Sequence, residues 1–232
     1  MRQIVLDTET TGLSWEKGNR VVEIGCVELL DRRPSGRSFQ KYINPEREME
    51  PGAMEVTGLT LDFLSDKPLF AEIADEFLDF INGAELIIHN ASFDLGFLNY
   101  ELGLLNTSYG KLEKYSQVVD TLKIAREMYP GQRNSLDALC KRLDVNNTHR
   151  QLHGALLDAQ LLTDVYLQLT SGQTGFGFDE SSAVRNHIEH TVILPGFQGK
   201  PVVIIANETE YAMHQKRVDE IANKSGVKLW LD

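Results

Sequence analysis

Apolar residues along this chain change rhythm near residue 60. Up to about residue 43 they come in short runs, "RQIVLD", "RVVEIGCVELL" and "GRSFQKYI", with brief connections between them. That pattern predicts an antiparallel set of strands. The following stretch, "NPEREMEPGAMEVTGLT", is punctuated by Pro45, Pro51 and Gly58 and predicts a loop region. Helical spacing then takes over. "PLFAEIADEFLDFING" starts at Pro68 and stops at Gly83, with Phe70, Ile73, Ala74, Phe77 and Ile81 on one stripe. "AELIIH" reads as a short buried strand, followed by the helix "ASFDLGFLNYELGLL", which Asn90 is placed to cap. A strand at "SQVVD", helices near 121–129 and 134–143, and the helix "HGALLDAQLLTDVYLQL" complete the block.

Composition shifts at Ser171. "SGQTGFGFDESS" holds three Gly and three Ser, the make-up of a flexible linker. Beyond it, "KPVVIIA", "NETEYAMHQKRVDEIANKSG" and "VKLWLD" read as strand, helix and strand. Asn207 and Glu210 form a capping box at the helix start, and Gly226 is suited to its C-cap. A unit of roughly forty residues seldom supports a core of its own. The expected organisation is therefore an α/β domain over residues 1–170, a linker over 171–189, and a tail over 190–232 that docks onto another surface.

With 232 residues, 42% hydrophobic and 25% charged, the chain can bury a sizeable core. No apolar run approaches the ~18 residues of a membrane span, and the N-terminus enters a strand without a signal-peptide pattern. A cytoplasmic protein that does not enter membranes is expected. Cys26 and Cys140 are isolated thiols in apolar surroundings, expected as buried small hydrophobes. The net charge of −11, from 23 basic and 34 acidic residues, argues against gripping nucleic acid by surface charge alone. Bound cations or a partner protein would lift that objection.

In "IVLDTETTGL", Asp7 and Glu9 stand at the end of the first buried run with no basic residue nearby. Their mutual repulsion needs a reason. Asp94 in "HNASFD" falls in the first helical turn after the second buried strand, and His153 and Asp158 flank the last helix start in "HGALLD". Each has an ordinary explanation when taken singly. Five residues at about 100° put His153 and Asp158 roughly 140° apart if both are helical. His153 is therefore expected in the loop just before the helix, free to swing toward Asp158. Asp158 falls between Ala155, Leu161 and Leu162, the inward positions, where a carboxylate needs a compensating charge. Carboxylates gathered without basic neighbours suit Mg²⁺ or Mn²⁺, whereas the Cys and His spacing of a zinc site is absent. Two such ions about 4 Å apart would clamp the attacking and leaving oxygens of a phosphodiester.

"LDTETTGL", "IIHNASFD" and "LHGALLDAQ", in that order, resemble the three motifs of the DEDDh 3′→5′ exonucleases, and most of all the proofreading epsilon group of bacterial DNA polymerase III. "RNSLDALC" fits as well, so the resemblance spans residues 1 to about 170. It implies a ribonuclease H-like α/β fold, with a mixed sheet flanked by helices. It implies that Asp7, Glu9 and Asp158 hold one metal, with Asp7 bridging to a second that Asp94 supports, and that His153 takes the proton from the attacking water. Thr10, Thr11 and Gly12 would hold the 3′-terminal nucleotide of DNA, with Leu13 beside its base. His89, Asn90 and Phe93 would line the pocket. Thr57 stands in "VTGLT" where some epsilon subunits have His, which affects one nucleotide contact.

By the same resemblance the tail would bind the alpha (polymerase) subunit, and a theta-like small subunit is a further candidate partner. Gln173, Phe176 and Phe178 in "QTGFGF" resemble the short peptide by which bacterial replication proteins enter the sliding clamp. Other readings stay open at this point. An exoribonuclease of the same family would carry the same motifs, although it has no need of the tail. A non-catalytic polymerase scaffold would have no use for the acids and His153.

Overall fold

Pairing of the first strand along both of its edges organises the sheet. The computed structural model describes residues 1–105, 108–148, 152–171 and 207–225. Strand β1 (Arg2–Thr10) pairs antiparallel with β2 (Val21–Leu30), which pairs antiparallel with β3 (Arg33–Tyr42). On its other side β1 runs parallel to β4 (Glu85–Ile88), and β4 runs parallel to β5 (Gln117–Asp120). The result is a five-stranded mixed sheet in the order β3-β2-β1-β4-β5, as the sequence leads one to expect.

Helices cover both faces of this sheet. Ile4 and Leu6 pack with Phe70 and Phe77 of α3 (Phe70–Ile81) and with Phe97 and Leu102 of α4 (Ala91–Leu105). Val5, with Leu29 and Ile87, faces Ala159, Leu162 and Tyr166 of α7 (Ala155–Leu169) instead. Side chains alternate along a strand, so a strand buried on both faces reads as an unbroken apolar run. This explains "IVL". Leu161, Val165 and Leu169 on the far side of α7 pack with Ala125 of α5 (Thr121–Met128) and with Leu139 and Cys140 of α6 (Leu136–Arg142). Each Val, Leu, Ile or Phe among them stabilises the fold by roughly 1.5–3 kcal/mol when fully buried. Cys26 and Cys140 are free and buried, and burial pushes the Cys26 thiol far up.

Local structure departs from the sequence expectation in two places. The strand expected to end with Asp7 runs on through Glu9 to Thr10, because β2 pairs with β1 that far. The stretch read as loop contains helix α1 (Pro51–Thr57) and the single turn α2 (Leu61–Leu64). Pro51 sits at the first helical positions, where its missing N–H is harmless, and Gly58 ends the helix at φ 70°. Both residues punctuate the chain, but as helix ends.

By spatial proximity the chain divides into two units, Met1–Phe176 and Gly177–Asp232. In the second, α8 (Glu208–Ser225) begins at the expected capping box. The Asn207 N–H donates to Glu210 Oε2 at 3.0 Å, and the Glu210 N–H donates to Asn207 Oδ1 at 2.9 Å. The expected strands at 200–206 and 227–232, the Gly226 cap and the segment Gln173–Phe178 lie outside the described residues. No helix among the described residues is long and apolar enough to cross a membrane.

Candidate active site

Strand alternation places Asp7 and Glu9 on one face of β1, the face that Val5 presents to α7. Thr8 points to the other side, where its hydroxyl donates to Asp94 Oδ1 at 2.7 Å. Asp94 is in the first turn of α4. Because β1 and β4 are parallel, with Leu6 beside Ile88, the chain leaving β4 delivers His89, Asn90 and Asp94 next to the acids of β1. Grooves beyond the carboxyl ends of parallel strands are the usual binding places in α/β sheets. Here Asp7, Glu9, His89, Asn90, Phe93, Asp94, Leu136, His153 and Asp158 line a cleft of about 210 Å³.

Helix α7 closes the opposite wall. His153 precedes its N-cap, Gly154, and Asp158 lies in its first turn, so the loop position expected for His153 holds. His153 Nδ1 is 3.4 Å from Asp158 Oδ2. Helix α1 places the imidazole, since the His153 N–H donates to the Val56 carbonyl at 3.0 Å. Glu9, His153 and Asp158 each offer a ligand atom, all within 4.8 Å of one another. The carboxylate oxygens of Glu9 and Asp158 suit Mg²⁺ or Mn²⁺, and the His153 imidazole stands beside them.

Burial charges this site with tension. Asp94 is 3% exposed, and desolvation pushes its pKa up to about 7, with Asp120 adding to the rise and the Thr8 hydroxyl opposing it. Burial holds His89 below its ordinary pKa, and its Nδ1 lies 2.9 Å from the Thr121 hydroxyl. Asn90 turns the chain at φ 64°. Its own N–H donates to Asp120 Oδ1 at 3.2 Å, and its Oδ1 accepts from the Ser92 hydroxyl. Phe93 packs against Phe97 with the rings tilted by 49° and 4.9 Å between their centres.

The remaining motif residues lie outside the cleft lining. Thr10 Oγ1 donates to the Gly12 carbonyl at 2.7 Å. Thr11 Oγ1 donates to Asn19 Oδ1 at 2.9 Å and accepts from the Arg20 N–H at 3.0 Å. These bonds hold the turn, and Leu13 stands out from it, 85% exposed. The Thr57 hydroxyl is engaged at the end of α1, donating to the Ala53 carbonyl and accepting from the Leu59 N–H.

Sequence reasoning passed over Thr8, Leu136 and Gly25. Gly25 lies opposite Asp7, and a Cβ there would come within 2.2 Å of the α7 backbone at Ala155 and Leu156. A lone glycine inside a strand signals such an approach, so this one was there to be read.

The family model for the exonuclease family matches residues 4–166. The chain belongs to this exonuclease family. DNA polymerase III subunit epsilon of Salmonella typhimurium is 48% identical over 235 residues, covering 99% of this chain and 97% of that protein. The Haemophilus influenzae subunit of the same name is 53% identical over 191 residues, covering 81% of this chain and 74% of its own. Among solved structures, Exonuclease X in complex with 5′ overhanging duplex DNA matches with TM-score 0.58 at 26% identity, over 73% of this chain and 91% of its own. Escherichia coli Exonuclease I bound to an oligonucleotide matches with TM-score 0.64 at 17% identity, over 74% of this chain and 41% of its own, which shows the shared fold. The exonuclease is a metal-dependent enzyme of 3′→5′ polarity and a homologue of the epsilon subunits.

Proposed function

We propose that this exonuclease removes mismatched 3′-terminal nucleotides from DNA as 5′-monophosphates, as the proofreading subunit of a replicative DNA polymerase. The observation that carries this reading is the meeting of Asp7, Glu9, Asp94 and Asp158 with His153 in one cleft. Asp7, Glu9 and Asp158 would hold one Mg²⁺ or Mn²⁺, and Asp7 with Asp94 a second. When bound, the ions supply positive charge that polarises the phosphodiester and offsets charge on the leaving oxygen. His153, 43% exposed at the cleft mouth, is the group to accept a proton from the attacking water, a task imidazole commonly performs near neutral pH. Thr10, Thr11, Gly12 and Leu13 would seat the terminal nucleotide, with His89, Asn90, Phe93 and Thr57 around it.

Selectivity for errors need not reside in the pocket. A mismatched end unpairs at a cost lower by about a few kcal/mol, so it enters a single-strand cleft more often. The names of the relatives support a polymerase as partner; its alpha (polymerase) subunit would take residues 190–232, and a theta-like subunit is a further candidate. The sliding clamp would take Gln173, Phe176 and Phe178. The relatives, epsilon subunits of DNA polymerase III, favour DNA over the exoribonuclease alternative.

The test is Mg²⁺-dependent digestion of a 3′-mismatched DNA primer beside an RNA oligomer of the same sequence, by the intact chain and by Asp7→Ala. Faster loss of the mismatched DNA end, abolished in Asp7→Ala, is expected. Near-normal activity of Asp7→Ala would remove the metal reading, and preferred digestion of RNA would favour the alternative.

A further inference from the structure

Glu23 is a buried acid that the proposed chemistry does not use. It lies within β2, 1% exposed, directly opposite Glu9. Facing residues of an antiparallel pair share a face, so Glu23 and Gly25 stand beside Glu9 and Asp7 under the start of α7. Both oxygens of Glu23 are engaged. Oε2 accepts from the Ala155 N–H at 3.0 Å, and Oε1 accepts from the Gln40 side-chain amide at 2.8 Å.

Ala155 is the first residue of α7, and its N-cap, Gly154, has no side chain to offer. The first N–H groups of a helix have no partner inside it, and a carboxylate there also suits the helix dipole. A local Ser or Asp cap would accept from N–H groups one or two residues further on, and it would move with the helix. A cap reaching up from β2 instead ties α7 to the strand that faces the catalytic pair. Gly25 lets the first turn settle onto β2, and Glu23 fixes where it settles. The bond is made between His153 and Asp158 in sequence, so it governs both.

We infer that Glu23 is a positioning residue whose bond to the Ala155 N–H sets His153 and Asp158 in register with Asp7 and Glu9. This rests on the cleft being the catalytic site. The experiment compares Glu23→Asp and Glu23→Gln with the intact chain. Its readouts are kcat and KM on single-stranded DNA, calorimetric binding of Mn²⁺ to the metal-free protein, and melting temperature. Glu23→Asp keeps the charge but draws the acceptor back by one methylene. It should lower kcat about 10–100-fold, the range for supporting residues around metal ligands, and weaken Mn²⁺ binding by a similar order. KM should hold, because substrate contacts are untouched. Glu23→Gln keeps an acceptor in place and should restore most of both losses.

Glu23→Asp with normal kcat and Mn²⁺ affinity, and only a lower melting temperature, would make Glu23 a structural cap and overturn the inference. So would Glu23→Gln as impaired as Glu23→Asp, because an acceptor kept in place would then not preserve function. If Asp7→Ala digests DNA as the intact chain does, the active-site reading fails by itself. The Mn²⁺ titration still decides whether Glu23 shapes the acidic cleft.

Discussion

A carboxyl buried as deeply as that of Asp94 ionises only at a higher pH than an exposed one. Its pKa stands at about 7 in the folded chain, against ~3.9 for an unfolded one. Between those values the folded state holds more protons than the unfolded state, so stability falls as pH rises through the window. Asp94→Asn removes this dependence. In EDTA, the melting temperature of the intact chain should drop more between about pH 5 and pH 8 than that of Asp94→Asn. Parallel curves would show that Asp94 ionises normally. Adding Mg²⁺ at the higher pH should raise the melting temperature of the intact chain and have less effect on the variant. The second prediction at this scale concerns His153. His153→Ala should lower kcat by about 10²–10⁴, the contribution of a positioned proton acceptor, while leaving Mn²⁺ binding by calorimetry nearly unchanged. A large loss of binding would make the imidazole a ligand instead.

Among the elements, α7 decides the most. It buries Ala159, Leu162 and Tyr166 against the sheet and Leu161, Val165 and Leu169 against α5 and α6. Its first turn has almost no room to shift. Gly25→Ala places a methyl group 2.2 Å from backbone atoms of Ala155 and Leu156, and backbone cannot rotate away as a side chain can. The helix must lift, at a cost of about 1–3 kcal/mol or more, and it carries Asp158 with it. The expected result is a lower melting temperature together with a loss of kcat larger than the stability change explains. A destabilised variant with full activity at low temperature would show that the start of α7 and the site are not coupled. Helix α1 has a comparable role on a smaller scale, because Val56 receives the His153 N–H.

At the scale of the whole molecule, the four buried apolar clusters found among the described residues draw on residues between Ile4 and Leu169. Ending the chain after residue 185 should therefore leave a cooperative melt and Mg²⁺-dependent digestion of single-stranded DNA, while co-purification with the polymerase subunit is lost. Retention of tight polymerase binding would assign that contact to the nuclease unit. The net charge of −11 makes the same point about substrate. Under the proposed function a chain this acidic would hold DNA through cations in its cleft and through partners, so activity should fall steeply on chelation.

What the sequence determined by itself was whatever depends on neighbours along the chain. Alternation and run length marked β1 to β5, the 3.6-residue stripe marked α3, and the capping box of Asn207 and Glu210 appeared where expected. The acids and His153 were legible because each sits in a short, recognisable motif. Pro51 and Gly58 show the limit of that approach. The same two residues punctuate a loop or bound a helix, and only the packing of α1 under the His153 loop separates the cases. Tertiary structure alone decided that β1 continues through Asp7 and Glu9, because strand length is set by the partner strand and not by the strand itself. It alone decided that Asp94, 87 residues after Asp7, shares a cleft with it. It also gave meaning to Glu23 and Gly25, which one-dimensional reading sees as an acid and a glycine in an apolar run. Their purpose depends on a helix more than a hundred residues away in sequence resting on their strand.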